Sequence, residues 1–226
     1  MELPIIHLDP DLIVCVKPAG WISEPGSGKS LPLALAEQLA AAGEDPTLHT
    51  VHRLDKPVAG LMVLARNHRA AADLIDQIAA HRTEKEYLAV VRGIPPEQEG
   101  TWEDLLFHDS RVNKTYVVKR LRKGVRPAKL SYRVLQTLEG DGQPISLVRV
   151  RLYTGRTHQI RAQFSARGLP LLGDVRYGSK ASHNLALFSC LLAFDHPGSH
   201  TRMRFEEFPK GEPWSAFQTL DPTRSE

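Results

Sequence analysis

Apolar residues along the chain fall into short runs with two different periods. "DLIVCVK" (11–17) and "GLMVLAR" (60–66) are nearly continuous apolar runs, which predicts buried strands. Pro18 and Gly20 close the first of them. "KEYLAVVRG" (85–93) alternates and ends at Gly93, as a strand does. Further strands are expected at "TYVVKR" (115–120), "AKLSYRVLQTL" (128–138), "ISLVRVRLY" (145–153), "ALFSCLLAFDHP" (186–197) and "TRMRFEE" (201–207). "DGQP" (141–144) is the turn that leads into the third of these.

Helical periods appear in three places. "SLPLALAEQLAAAG" (30–43) has Ser30 near its N-cap and Gly43 at its end. Asn67 can cap "HRAAADLIDQIAAHR" (68–82), whose Leu74, Ile75 and Ile78 form an apolar face. Thr157 can cap a short helix, "HQIRAQFSAR" (158–167), ended by Gly168. Strands outnumber helices and hairpins recur. The expected class is therefore α+β, a large mixed, mostly antiparallel sheet flanked by helices. The loosest segment, "GIPPEQEGT" (93–101), reads as a loop inside one domain, and no repeat or linker divides residues 1–226.

Composition narrows the class. With 226 residues, 42% of them hydrophobic, the chain can bury one large core or two small ones. No apolar run approaches the ~20 residues that span a bilayer. The N-terminus has no basic region followed by a long apolar stretch, so no signal peptide is expected. Cys15 and Cys190 both lie in apolar runs and read as buried thiols of a reducing compartment. These features point to the cytoplasm.

A net charge of +3 says little, but its distribution says more. Between residues 111 and 133 stand Arg111, Lys114, Lys119, Arg120, Arg122, Lys123, Arg126, Lys129 and Arg133, with no Asp or Glu among them. Acids gather elsewhere, in "EQEGTWED" and "RFEEFPKGE". Such segregation fits a surface that meets a polyanion, and equally a solvated hairpin face.

Several motifs compete for the chemistry. "SEPGSGKS" (23–30) resembles a phosphate-binding loop, but Ser23 stands where the first glycine belongs and Pro25 removes a backbone donor. A flexible Gly-Ser loop is the better reading. Ten histidines include no H-E-x-x-H, and no C-x-x-C or spaced Cys/His set is present, so no metal site is expected. No G-x-S-x-G supports a serine hydrolase. In "LYTGRTHQIRAQFSARG" (152–168), Arg156 and Arg161 stand at the positive end of a helix dipole with no acid in its first turn. That placement calls for an anion, either a ligand phosphate or a carboxylate from elsewhere in the fold. In "VHRLDKPVAG" (51–60), Asp55 stands alone between Arg53 and Lys56 and is one candidate for that carboxylate.

"HRLDKPVAG" resembles the H-R-L-D-x-x-[ST]-[ST]-G motif of the RluA family of RNA pseudouridine synthases. "DLIVCVKPAGW" is similar to that family's D-x-x-[LI]-x-V-x-K-P-x-G strand, and "EKEYLAVVRG" to its K-x-Y-x-A-x-V-x-G strand. "LYTGRTHQIRAQFSARGLPLLGDVRYG" resembles its L-x-T-G-R-T-H-Q-I-R-x-H block with the following G-x-P-[IL]-x-G-D-x-x-Y-G. "LLAFDHP" resembles its L-x-F-x-H-P. The five stretches occur in order across about residues 11–197. The chain departs from the pattern at Val58 and Ala59, which replace a hydroxyl pair, and at Gln163 and Phe188, where His is common. By this resemblance the sequence is expected to start at the catalytic domain, without the S4-type module of some relatives.

The resemblance implies the pseudouridine synthase fold as one catalytic domain. It implies isomerisation of uridine to pseudouridine in ribosomal or transfer RNA, without metal or other cofactor. Asp55 is then the essential nucleophile or base, Arg161 its partner, and Tyr87 the pocket residue that stacks on the uracil. An aspartate at its ordinary pKa of ~3.9 is already ionised at neutral pH. The target base must leave its stack, and Arg53 is suited to fill the space. Lys56, Arg156, His158, Lys119, Arg120, Arg122 and Lys123 are expected to contact the RNA. A monomer is expected. Two alternatives remain: an inactive RNA-binding protein of the same fold, and a nucleotide enzyme built on "SEPGSGKS".

Overall fold

The computed structural model describes residues 2–140, 142–179 and 184–218. In chain order its elements are β1 (Ile5–Leu8), β2 (Leu12–Lys17), α1 (Leu31–Ala41), β3 (His49–Thr50), β4 (Ala59–Ala65), α2 (His68–Ala79) and β5 (Glu84–Arg92). There follow β6 (Glu99–Asp109), β7 (Lys114–Val118), β8 (Val125–Leu138), β9 (Ile145–Leu152), α3 (Gln159–Ser165), β10 (Leu187–Asp195) and β11 (Arg202–Glu206). The class is α+β, as the periodicity predicts. Two compact units divide the chain: Met1–Lys85 with Phe188–Glu207, and Glu86–Leu187 with Phe208–Glu226.

In the first unit the strand order is β1-β2-β4-β10, with β3 on β4 and β11 on β10. Strand β4 is antiparallel to β2 and β3 but parallel to β10. Period two then explains the core. Leu12 and Val14 of β2, Leu61, Val63 and Ala65 of β4, and Leu192 and Phe194 of β10 share a buried cluster with Ala70, Ala71 and Leu74 of α2. Met62 and Leu64, on the opposite face of β4, are buried too, which is why its sequence reads as an unbroken apolar run.

Helix α2 begins as expected, because the Asn67 side chain accepts from the Ala70 N–H. Its apolar face is corrected: Ile75 is 48% exposed, and Gln77 is buried in its place. The Gln77 amide joins Asp195 through bonds in both directions, so a polar residue is satisfied inside the unit.

The second unit orders its strands β5-β9-β8-β6-β7, with β6 antiparallel to both β7 and β8, and β8 antiparallel to β9. Trp102 of β6, Tyr132 of β8 and Phe164 of α3 pack with ring centroids 4.5 to 5.8 Å apart. The expected loop 93–101 is shorter than supposed, because β6 already starts at Glu99. Gly142 of the expected turn "DGQP" takes φ 81°, while Asp141 lies outside the described residues.

The start of α3 is also corrected. His158, not Thr157, occupies the N-cap position, with left-handed φ 53°. The Thr157 carbonyl instead accepts from Thr115 Oγ1, and the Gln159 side chain closes the turn by accepting from the Arg156 N–H and Thr154 Oγ1.

Candidate active site

Asp55 sits half-buried in the segment that leads into β4, and the backbone on both sides of it is pinned. Ser23 Oγ accepts from the Leu54 N–H at 3.0 Å and donates to the Leu54 carbonyl at 2.8 Å. The Lys56 carbonyl accepts from the Gly20 N–H at 2.8 Å and from Lys17 Nζ at 3.3 Å. The Val58 N–H donates to the Asp55 carbonyl at 2.9 Å and closes a turn over the acid. Upstream, His52 Nε2 accepts from the Val63 N–H at 3.1 Å. Burial, and then the nearby Lys85 charge, hold the His52 pKa well below its usual value. That neutral imidazole is the form able to accept at Nε2.

The loop "SEPGSGKS" therefore has a structural task. Its Ser23 clamps Leu54, and its two ends are tied together through Ile22. The Ile22 N–H binds the Lys29 carbonyl, and the Leu31 N–H binds the Ile22 carbonyl. Ser30 stands at the N-cap of α1 without capping it, since its hydroxyl donates to the Glu24 carbonyl.

Lys17, fully buried at the end of β2, donates also to the Pro18 and Trp21 carbonyls, at 3.1 and 2.8 Å. Burial pushes its ammonium down to about 8, and the Asp55 charge works against that shift. A buried cation thus shares its surroundings with the candidate carboxylate.

In the other unit, Tyr87 is buried on β5. Arg161 is buried in α3 and binds Asp174 through two bonds, Nε to Oδ2 at 2.7 Å and Nη2 to Oδ1 at 2.8 Å. The anion called for by this acid-free helix start thus includes a carboxylate of the chain itself. Tyr177 lies beside the pair, with the Arg161 guanidinium carbon 5.0 Å from its ring centroid. The Tyr177 hydroxyl accepts from the Thr115 N–H at 2.7 Å and meets His158 Nδ1 at 3.0 Å.

The remaining expected site residues differ in their exposure. Arg53, Lys56, Lys119, Arg120, Arg122 and Lys123 are exposed. The Arg122 guanidinium lies 5.0 Å over the Phe107 ring. Arg156 is half-buried and donates to the Pro127 carbonyl at 3.0 Å. His158 is only 8% exposed and is held by Tyr177, which makes it part of the interior of its unit rather than of a phosphate-facing surface. Of the departures, Gln163 is buried and donates to Asp104 at 2.7 Å, while Val58 and Phe188 are core residues. Among the described residues no group of three or more His, Cys, Asp or Glu is arranged to hold a metal ion.

Lys17, Ser23, Asp174 and Tyr177 escaped the sequence reading as site residues. Lys17, Asp174 and Tyr177 all fall inside quoted motifs, so a signal existed, but their partners did not follow from it.

Comparison with known proteins identifies the family. The family model described as RNA pseudouridylate synthase matches residues 11–166. An "uncharacterized RNA pseudouridine synthase" of Chloroflexus aurantiacus is 40% identical over 85% of this chain and 60% of its own length. The dual-specificity RNA pseudouridine synthase RluA of Vibrio parahaemolyticus is 33% identical over 97% of this chain and 90% of its own. The solved structure of human RNA pseudouridylate synthase domain containing 1 matches with a TM-score of 0.76 and 25% identity, covering 92% of this chain and 84% of that one. The chain spans only 60% of the length of the Chloroflexus relative. These matches define the class, RNA pseudouridylate synthases, isomerases that act on RNA. Within it the chain belongs to the RluA family.

Proposed function

We propose that the chain isomerises uridine to pseudouridine within ribosomal or transfer RNA, as a cytoplasmic monomer, with Asp55 as the essential carboxylate. The observation that carries this reading is the loop around Asp55. Residues 52, 54, 56 and 58 are each tied to neighbouring backbone or side chains, so the one acid among bases is held in a fixed place. Pre-organisation of this kind suits a reacting group.

In the reaction the C1′–N1 bond breaks, the uracil turns, and C5 bonds to C1′. The proton leaves C5 and N1 ends protonated. Atoms and electrons balance within the nucleotide, so the step calls for no external co-reactant. Asp55 either attacks the sugar or assists deprotonation there. Tyr87 stacks on the uracil, and Arg161 supplies the positive charge that favours an ionised carboxylate. Arg53 fills the space left by the extruded base, and Lys56, Arg156, Lys119, Arg120, Arg122 and Lys123 grip phosphates. The buried thiols Cys15 and Cys190 suit a reducing compartment.

The test is tritium release from RNA labelled at uridine C5, with ribosomal and transfer RNA assayed separately. Wild type should release tritium without added metal or nucleotide, and Asp55→Asn should release none. An Asp55→Asn protein as active as wild type ends the assignment of the acid. Salt-sensitive RNA binding by a wild type that releases no tritium favours the inactive RNA-binding reading.

A further inference from the structure

Arg161 and Asp174 form an ion pair whose side chains are 6% and 1% exposed. A buried pair is weak evidence of stability, because apolar residues of similar volume often serve as well. Its geometry is more informative. The two near-parallel bonds to Nε and Nη2 fix the plane of the guanidinium. Because the carboxylate covers the Nε–Nη2 edge, the Nη1 end is turned away from Asp174.

A second restraint comes from Tyr177, three residues on. Its ring lies 5.0 Å from the Arg161 guanidinium carbon, a cation–π distance. The ring is itself anchored. The Thr115 N–H donates to its oxygen, which also meets His158 Nδ1 at 3.0 Å. Ser165 Oγ, one turn beyond Arg161, donates to the Tyr177 carbonyl at 2.8 Å. His158 meanwhile holds a left-handed backbone at the head of the same helix, a conformation that a non-glycine residue keeps only when its surroundings impose it. A cation restrained by a carboxylate and a ring, on a helix whose first turn is fixed by that ring's hydroxyl, is built to hold a direction.

We propose that Asp174 and Tyr177 are positioning residues that fix the direction of the Arg161 guanidinium for its part in the isomerisation. This rests on the reading of Arg161 as the cation of the isomerisation. Asp174→Asn keeps the shape and one acceptor but loses the charge and the paired bonds. Its kcat should fall about 10- to 100-fold, the scale of a small misplacement of a reacting group, with KM for RNA little changed. Asp174→Glu should recover part of the loss. Tyr177→Phe keeps the ring, frees its anchor, and should lower kcat less.

A merely structural role is separated by Asp104→Asn, which removes the carboxylate that accepts from Gln163 and Arg167 on the same helical segment. It should lower the melting temperature and leave kcat intact. The second measurement needs no activity: exchange of the Arg161 Nε proton, followed by ¹⁵N NMR. That proton should be protected in wild type and exposed to exchange in Asp174→Asn.

Wild-type kcat in Asp174→Asn, or fast Nε exchange in wild type, overturns the proposal. Full activity in Arg161→Ala overturns the role of Arg161 and the use assigned to its fixed direction. A wild type inactive on every RNA overturns the synthase reading instead, and the exchange experiment still decides whether Asp174 orders Arg161.

Discussion

Lys17 has no exposed surface, yet three carbonyl oxygens surround its Nζ. Its burial makes a prediction about pH. In the unfolded chain the ammonium titrates near 10.5, and in the folded protein burial pushes it down to about 8. Between those values the unfolded chain holds a proton that the folded one has released, so stability rises with pH across that window. The cost of burying the charge is fully present below pH 8 and relieved above 10.5. Lys85, also pushed down to about 8, acts in the same direction. The Cys15 thiol, pushed up to about 12, opposes the rise once pH exceeds its unfolded value near 9. Urea unfolding from pH 7.5 to 9 should therefore show a rise in stability, with Lys17 contributing about 1 kcal/mol between pH 8 and 9. Lys17→Met should lose that contribution, and parallel wild-type and variant curves would remove Lys17 as its source.

At the scale of elements, the parallel pairing of β4 with β10 depends on Gly60. Its φ is 121°, and a Cβ there would collide with the backbone of Ser189, its partner across the ladder. Gly60→Ala should part the two strands just after the Asp55 loop and destabilise the protein by more than about 2 kcal/mol. Thermal unfolding followed by circular dichroism measures this, and an unchanged melting temperature would mean that the strands need no glycine. The glycine itself was legible as the last letter of the H-R-L-D motif, but its reason was not. The same division runs through the fold. Strands β2 and β4 were readable because both faces are buried, and α2 because Asn67 caps it. Strand β6 was missed because its exposed face carries Glu99, Thr101 and Glu103, and acids so spaced read as a loop. Asp55 was legible as an acid in a motif. The Ser23 and Lys17 contacts that fix its neighbours join positions 31 and 39 apart, and no local period encodes such pairs.

At the scale of the whole molecule, the net charge of +3 conceals a separation of signs that the fold leaves on the surface. Lys119, Arg120, Arg122 and Lys123 are all exposed in the connection between β7 and β8. Arg122 rests over the Phe107 ring, and among the described residues none of the four forms a salt bridge. Cations that reach solvent in a block act together on a polyanion, because each phosphate neutralised releases a counterion into bulk salt. Replacing all four by Gln should weaken RNA binding. It should also reduce the slope of log K against log[salt] by about 3, since each contact contributes roughly 0.7 to 0.9. A control that replaces the exposed Arg69 and Arg204 of the other unit by Gln should leave the slope nearly unchanged. Fluorescence anisotropy with one RNA from 50 to 300 mM KCl separates the two. If the control shifts the slope about half as far as the fourfold variant, in proportion to the charges removed, affinity follows total charge, and the connection between β7 and β8 holds no privileged place on the RNA. If only the fourfold variant shifts it, the segregation of bases in the sequence marks the surface that carries the phosphate backbone.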